Sequence, residues 1–254
     1  MPLSQLRQDL VSGDWIVIAP KRAFRPHDAL KRPARKPSPI ASCPFESLQA
    51  GHLLARLDGG RTWTLQIVEN RFPAFTHRNV CGTAGRIGPY AVTGGVGHHE
   101  ILITRDHHHD FPELAPRQAV EVFEAFRDRY LMLLEDPCLS YVSIFHNWGT
   151  AAGASVYHPH YQLIAIPVVP PDVSHSLEGA RRYFVRHKTC VHCAMIAWER
   201  QQRRRVIFEN EGAIAVAPFV SRSSFEVRVF PKRHLPAFED AADADLASVA
   251  RALH

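Results

Sequence analysis

The feature that most constrains this chain is a pattern that occurs twice. His99-Glu-Ile-Leu-Ile-Thr104 reads as a strand, and after it come a histidine cluster, Phe111-Pro-Glu-Leu114 and an amphipathic helix. Phe225-Glu-Val-Arg-Val-Phe230 reads as another strand, followed by His234, Phe238-Glu-Asp240 and a second amphipathic stretch. His107 precedes Pro112 by five residues, and His234 precedes Glu239 by five. Val-Glu-Asn70 matches Phe-Glu-Asn210, and Cys43-Pro-Phe-Glu46 matches Cys190-Val-His-Cys193. Matches in one common order predict duplicated α+β halves, drawn here at 1–172 and 173–254. In the first half a further motif, at His158, follows His107 by 51 residues. The same step from His234 runs past residue 254, so the second half is expected to stop before its last strands.

Periodicity places the other elements. Strands are expected at 14–19, 62–68, 140–145, 160–169, 206–209 and 213–217. Val120, Phe123, Phe126, Tyr130 and Leu134 recur at helical spacing and predict a helix over 113–135, with others at 176–205 and 240–253. The Pro- and Lys/Arg-rich stretch 20–42 and the Gly-rich stretch 79–98 read as loops. With 46% apolar and 22% charged residues the composition is that of a globular protein. No apolar run approaches the roughly 18 residues of a membrane helix, and the N-terminus lacks the apolar core of a secretory signal. No membrane partner is therefore expected. The net charge of +5 suits phosphorylated or nucleotide substrates. The basic clusters are short and lack interleaved aromatics, so no nucleic-acid partner is expected.

There are five cysteines. An odd number without a signal argues against a disulfide framework and for the cytoplasm. Cys81 and Cys138 have no local partners and read as small buried apolar side chains. Cys190 and Cys193 form a C-x-x-C, which in a reducing compartment holds metal or runs redox chemistry.

The most informative stretch is Asn147-Trp-Gly-Thr-Ala-Ala-Gly153-Ala-Ser155-Val-Tyr-His158-Pro-His160-Tyr-Gln162. In an extended chain His158, His160 and Gln162 share one face, and Tyr161 points the other way. The Gly- and Ser-containing loop before them offers backbone N–H groups to an anion. A neutral imidazole beside such a loop can act as a nucleophile at phosphorus, dividing one displacement into two easier ones.

These residues resemble the active site of galactose-1-phosphate uridylyltransferases, within the histidine-triad superfamily. The resemblance covers nearly the whole chain. It includes Leu6-Arg7-x-Asp9…Gly13-x-Trp15…Pro20-x-Arg22-x-x-Arg25-Pro26, Cys43-Pro-Phe, Asn70-Arg-Phe-Pro-Ala74, and Gly97-His-His-Glu-Ile…Asp106-His107…Pro112-Glu-Leu. It implies an α+β fold of two tandem histidine-triad-like halves, each an antiparallel sheet with packed helices. It implies a ping-pong reaction in which His160 takes UMP from UDP-glucose and passes it to a hexose 1-phosphate such as galactose 1-phosphate. Gln162 would donate to the phosphoryl oxygens. Arg22, Arg25, Asn70, Asn147, Gly153 and Ser155 would contact nucleotide and phosphate. A homodimer is implied.

The resemblance also implies zinc. One structural site maps to Cys43, Glu46, His107 and His158. Glu46 stands where the family commonly has Cys, and a carboxylate can replace a thiolate on zinc. A second site maps to Cys190, Cys193 and His234, open also to iron or to no metal. Ala154 and Tyr161 are further departures, at positions where the family commonly has Cys and Gly. Histidine-triad hydrolases carry a third histidine where this chain has Gln162, and an amide is neither acid nor base near pH 7. Gln162 thus favours transfer over hydrolysis. Two alternatives stay open. One is an ADP-glucose or dinucleotide phosphorylase of the same superfamily. The other is a nucleotide-binding relative of weak activity.

Overall fold

The computed structural model describes residues 4–19, 37–58, 62–78 and 80–254. Arg22 and Arg25 lie outside the described residues. The chain is mixed α+β, with antiparallel sheets and four α-helices among the described residues. These residues fall into two compact units, one of 4–19 with 170–253 and one of 37–169 with His254.

The second of these carries a five-stranded sheet. Its strands are β3 (Leu54–Asp58), β4 (Thr62–Glu69), β7 (His98–Thr104), β8 (Tyr141–His146) and β9 (His160–Ile166), in spatial order β3-β4-β7-β9-β8, all antiparallel. β9 alternates half-buried and buried residues along its whole length. That is the period-2 signature of a strand with one covered face. Tyr161 pairs with Leu102 of β7 and points into the core, where its ring meets Phe111 and Phe126. Helix α1 (Pro116–Leu133) buries Ala119, Val122, Ala125, Phe126 and Leu133. Ion pairs tie α1 to the sheet: Arg56 of β3 reaches Glu124 and Asp128 at 2.6 and 2.7 Å, and Arg129 clamps the buried Glu100 of β7. The opposite face presents His160 and Gln162 of β9 beside Ile103 and Ile101 of β7.

The Gly-rich stretch 79–98 is not all loop. It holds an exposed hairpin, β5 (Ala84–Ile87) with β6 (Tyr90–Thr93), turned at Gly88 with φ +58°. Its short strands are exposed on both faces, so they leave no alternating signal in the sequence. Cys81 and Cys138 are likewise not isolated apolar side chains: they form a disulfide between segments 57 residues apart. A spacing argument sees only local partners, and the fold supplied a distant one. The disulfide also removes the cysteine argument for a reducing compartment.

In the other unit, β10 (Val206–Glu209), β11 (Ala213–Val216) and β12 (Arg228–Pro231) form an antiparallel sheet backed by α4 (Asp243–Leu253). The expected single helix over 176–205 is two, α2 (Pro171–His187) and α3 (Val191–Gln202). The break is Lys188, the left-handed residue (φ 56°) that closes α2. The N-terminal hairpin, β1 (Gln5–Gln8) with β2 (Trp15–Ile18), groups with this unit rather than with the sequence half that contains it. Arg7 donates to the Phe219 carbonyl and lies over its ring, and Arg222 pairs with Asp14.

The repeat is visible in both units. His107 and His234 each follow the last residue of a strand, β7 or β12, by three positions. A 3-10 turn starts four residues later, at Phe111 or Phe238, and then a helix. The Asn70/Asn210 match is not part of it. Asn70 follows the strand that pairs with β7, whereas Asn210 precedes the strand that pairs with β12. What the two share is local chemistry, an Asx turn in which Oδ1 accepts the N–H two residues on.

Glu209 at the end of β10 is held by three cations. Burial opposes its charge, but hydrogen bonds from Arg203, Lys232 and Arg200 outweigh that and push its carboxyl down to about 2. A carboxyl held below its unfolded value of about 4.3 stabilises the fold above that pH and loses the effect as pH falls toward 2. Glu209→Gln should therefore lower the urea midpoint at pH 6, with the deficit narrowing steadily toward pH 3. A deficit that stays constant over that range would show that the charge is not what Glu209 contributes.

Candidate functional site

His160 opens β9 directly after Pro159, and its ring packs edge-on to Phe45 at 5.3 Å. Its Nδ1 lies 2.9 Å from the His158 carbonyl oxygen. A carbonyl only accepts, so Nδ1 carries the proton and donates, and the lone pair of the neutral ring sits on Nε2. The backbone of the His-Pro-His segment thus selects the tautomer suited to attack by Nε2.

Gln162 is oriented by a residue whose role the sequence left open. His99 of β7 shares the face of His160 and Gln162, since it pairs with Ile164 two residues along β9. Its Nδ1 accepts from the Ala74 N–H at 3.0 Å, so Nε2 bears the proton and donates to Gln162 Oε1, also at 3.0 Å. With Oε1 engaged, the amide N–H groups are the part of Gln162 turned away from His99. Asn70 stands at the same place, with Nδ2 3.0 Å from His99 Nε2 and Oδ1 taking the Phe72 N–H. His146, also passed over in the sequence, holds β8 to the site strand from the other face. Its Nδ1 donates to the His160 carbonyl at 2.7 Å and its Nε2 faces Asp110 at 2.6 Å.

Asn147, Gly153 and Ser155 lie on the connection between β8 and β9. Gly149 (φ +78°) and Gly153 (φ +84°) both adopt the left-handed backbone, while a Cβ at either would meet nothing within 4 Å. Backbone conformation, and not crowding, therefore explains why these positions hold glycine. The Gly149 carbonyl accepts from the N–H groups of Ala152 and Ala154, closing a compact turn between them.

Cys43, Glu46, His107 and His158 come together beside this face, with one ligand atom from each within 4.8 Å of the others. His158 Nδ1 is 3.6 Å from Cys43 Sγ and 3.2 Å from Glu46 Oε1. Ligand atoms on a tetrahedral zinc, bound at about 2.0–2.3 Å, stand about 3.3–3.8 Å apart. Each histidine turns Nδ1 inward and spends Nε2–H on a backbone carbonyl: His158 on Thr104 at 2.7 Å, His107 on Ser38 at 2.9 Å. Such outer partners fix the tautomer of metal-binding imidazoles. His107 Nδ1 contacts Glu46, so the carboxylate at this position faces the cluster. Burial holds His158 in its neutral form and raises the Cys43 thiol. Four donors, one from each residue, could hold a metal ion in a closed site, with the Glu46 carboxylate as one of them.

Cys190, Cys193 and His234 form a second cluster in the other unit. Cys190 is the N-cap of α3 and Cys193 lies in its first turn, with Sγ 3.3 Å from His234 Nδ1. Burial, with Cys190 adding to it, raises the Cys193 thiol.

A family model described as a domain of unknown function, DUF4921, matches residues 57–254. The chain is 31% identical over 246 residues to the ADP-glucose phosphorylase of Arabidopsis thaliana, covering 94% of this chain and 69% of that protein. It is 25% identical over 234 residues to the galactose-1-phosphate uridylyltransferase of Thermotoga maritima, covering 92% and 68%. The chain belongs to the galactose-1-phosphate uridylyltransferase family. The crystal structure of the Arabidopsis ADP-glucose phosphorylase with bound ADP-glucose superposes with a TM-score of 0.80 at 27% identity, over 99% of this chain and 75% of that one. A solved uridylyltransferase gives a TM-score of 0.71 at 26% identity, over 99% and 73%. The family is one of nucleotidyltransferases and phosphorylases, so the enzyme class follows and the substrate pair does not. Among the described residues no helix is long and apolar enough to cross a membrane.

Proposed function

We propose that this chain moves a nucleoside monophosphate from a nucleoside diphosphate hexose to a phosphate acceptor through a covalent nucleotidyl-His160. The observation that carries the reading is the bond from His160 Nδ1 to the His158 carbonyl, which places the lone pair on Nε2. Nε2 attacks the α-phosphorus, the bond to the β-phosphate oxygen breaks, and hexose 1-phosphate leaves. An oxygen of the second phosphate then attacks the same phosphorus and releases His160. Gln162, oriented by the positioning residue His99, donates an amide N–H to a phosphoryl oxygen in both steps. Asn70, Asn147, Gly153, Ser155 and the arginines 22 and 25 are assigned to nucleotide and phosphate. All but the two arginines, which lie outside the described residues, belong to the unit of 37–169. The half drawn at 1–172, less the N-terminal hairpin that groups with the other unit, would then carry nucleotidyl transfer, and 173–254 would be the second half. Zinc held by Cys43, Glu46, His107 and His158 would be structural: four protein ligands close the site and tie the Cys43–Glu46 loop beside His160. Cys190, Cys193 and His234 would hold a second ion. A homodimer completes the proposal.

UDP-glucose with galactose 1-phosphate is the pair the sequence motifs suggest. The 31% identity to an ADP-glucose phosphorylase supports a second pair, ADP-glucose with inorganic phosphate. Incubating the protein with both sugar nucleotides and both acceptors, separately, distinguishes them. The first reading expects UDP-galactose and glucose 1-phosphate, dependent on galactose 1-phosphate. ADP formed only from ADP-glucose and phosphate would replace it with the second. Free nucleoside monophosphate as the main product would contradict the transferase role given to Gln162.

A further inference from the structure

Three side chains that the nucleotidyl site does not use converge where β7 begins. His98 is the first residue of that strand, His77 lies after β4, and Asp136 is in the turn after α1. Asp136 Oδ2 is 3.4 Å from His98 Nε2 and 3.6 Å from His77 Nδ1, and the three ligand atoms lie within 4.8 Å of one another. The two separations from Asp136 lie close to the edge of about 3.3–3.4 Å of a tetrahedron around an ion bound at about 2.0–2.1 Å.

Two of the three ligands, His98 and Asp136, are also held from behind. His98 Nδ1 lies 3.4 Å from Glu100 Oε1, and the Glu100 side chain is 1% exposed. Arg129 fixes both Glu100 oxygens, at 2.8 and 2.6 Å. With Nδ1 turned to Glu100, it is Nε2 that His98 directs at Asp136 Oδ2 and that would serve an ion once its proton is lost, and a carboxylate behind an imidazole is the usual outer shell of a metal ligand. Asp136 Oδ1 accepts from the Cys138 N–H at 2.9 Å, which turns Oδ2 to the histidines. The His77 and His98 rings stack at 4.5 Å. The Cys81–Cys138 disulfide joins the chain just beyond His77 to the chain just beyond Asp136, so both loops are fastened beside the cluster.

We propose that His77, His98 and Asp136 bind a divalent first-row metal ion such as zinc(II), in an open site that solvent completes. The His77 side chain is 45% exposed, so the ion exchanges with solvent. The donor set of two nitrogens and one oxygen suits zinc, iron(II) or cobalt(II). Unlike the other two clusters it contains no thiolate.

The test uses the full chain, without reductant so that the disulfide stays closed, equilibrated with buffered zinc(II) and assayed for bound metal. The expected result is one zinc equivalent beyond those removed by Cys43→Ser and Cys190→Ser. His77→Ala and Asp136→Asn should each weaken that equivalent at least about tenfold and leave the others. Asp136→Asn keeps the acceptor for the Cys138 N–H, and His77 is exposed, so neither variant threatens folding. Loading the additional site with cobalt(II) should add d–d absorption without a thiolate-to-cobalt band. Equal zinc content in the parent and both variants would overturn the proposal and leave an ion-pair cluster. A loss of thiolate-to-cobalt absorption in these variants would overturn it too, by assigning the lost metal to a cysteine site.

Discussion

Replacing His160 by Asn should lower nucleotidyl transfer by at least about 10⁴-fold, the scale on which covalent enzymes lose turnover with their nucleophile. Asparagine can keep a hydrogen bond to the His158 carbonyl, which His160 Nδ1 now makes at 2.9 Å. It has no basic lone pair to offer phosphorus. The variant should therefore fold, bind sugar nucleotide and fail in the chemical step. Steady-state turnover beside an equilibrium binding measurement separates these effects. Turnover within tenfold of the parent would remove His160 from the role of nucleophile.

The second large effect belongs to His158. Its side chain is fully buried, and its ring touches Cys43, Glu46 and the Thr104 carbonyl. His158→Ala removes a metal ligand, opens a cavity and leaves Cys43, Glu46 and His107 with an incomplete donor set. A loss of one zinc equivalent is expected, together with destabilisation of about 3–5 kcal/mol, because metal binding to such a site is folding free energy. Turnover should fall as well, since Phe45, next to Glu46, packs on the His160 ring. Bound-metal assay and thermal unfolding of the two proteins test this. Unchanged zinc content and unfolding temperature would show that the cluster holds no ion.

What the sequence made legible was what obeys a period. Parity placed His160 and Gln162 on one face and buried Tyr161 on the other, and β9 has that pattern; His158, expected on the same face, lies in a bend before β9, buried in the cluster with Cys43, Glu46 and His107. The strand–histidine–turn–helix repeat located β7, α1, β12 and α4. Groupings across long separations were legible only through resemblance. Cys43 meets His158 across 115 residues, and nothing local encodes that contact. His99 went without a role because its partners, Ala74 and Gln162, come from a different loop and a different strand. His146 was hidden for the same reason, its acceptors being Asp110 and a backbone carbonyl. The Cys81–Cys138 disulfide defeated a spacing argument outright. The N-terminal hairpin was assigned by chain order, while Arg7, Asp14 and Arg222 join it to residues more than 200 positions away.

The measurement that bears most directly on the account is intact mass after brief mixing with UDP-glucose or ADP-glucose and no acceptor. The parent should gain the mass of one nucleoside monophosphate, UMP or AMP according to the donor used. The gain should disappear on adding the phosphate acceptor and be absent in His160→Asn. No adduct with either sugar nucleotide, or the same adduct in His160→Asn, would contradict covalent transfer through His160.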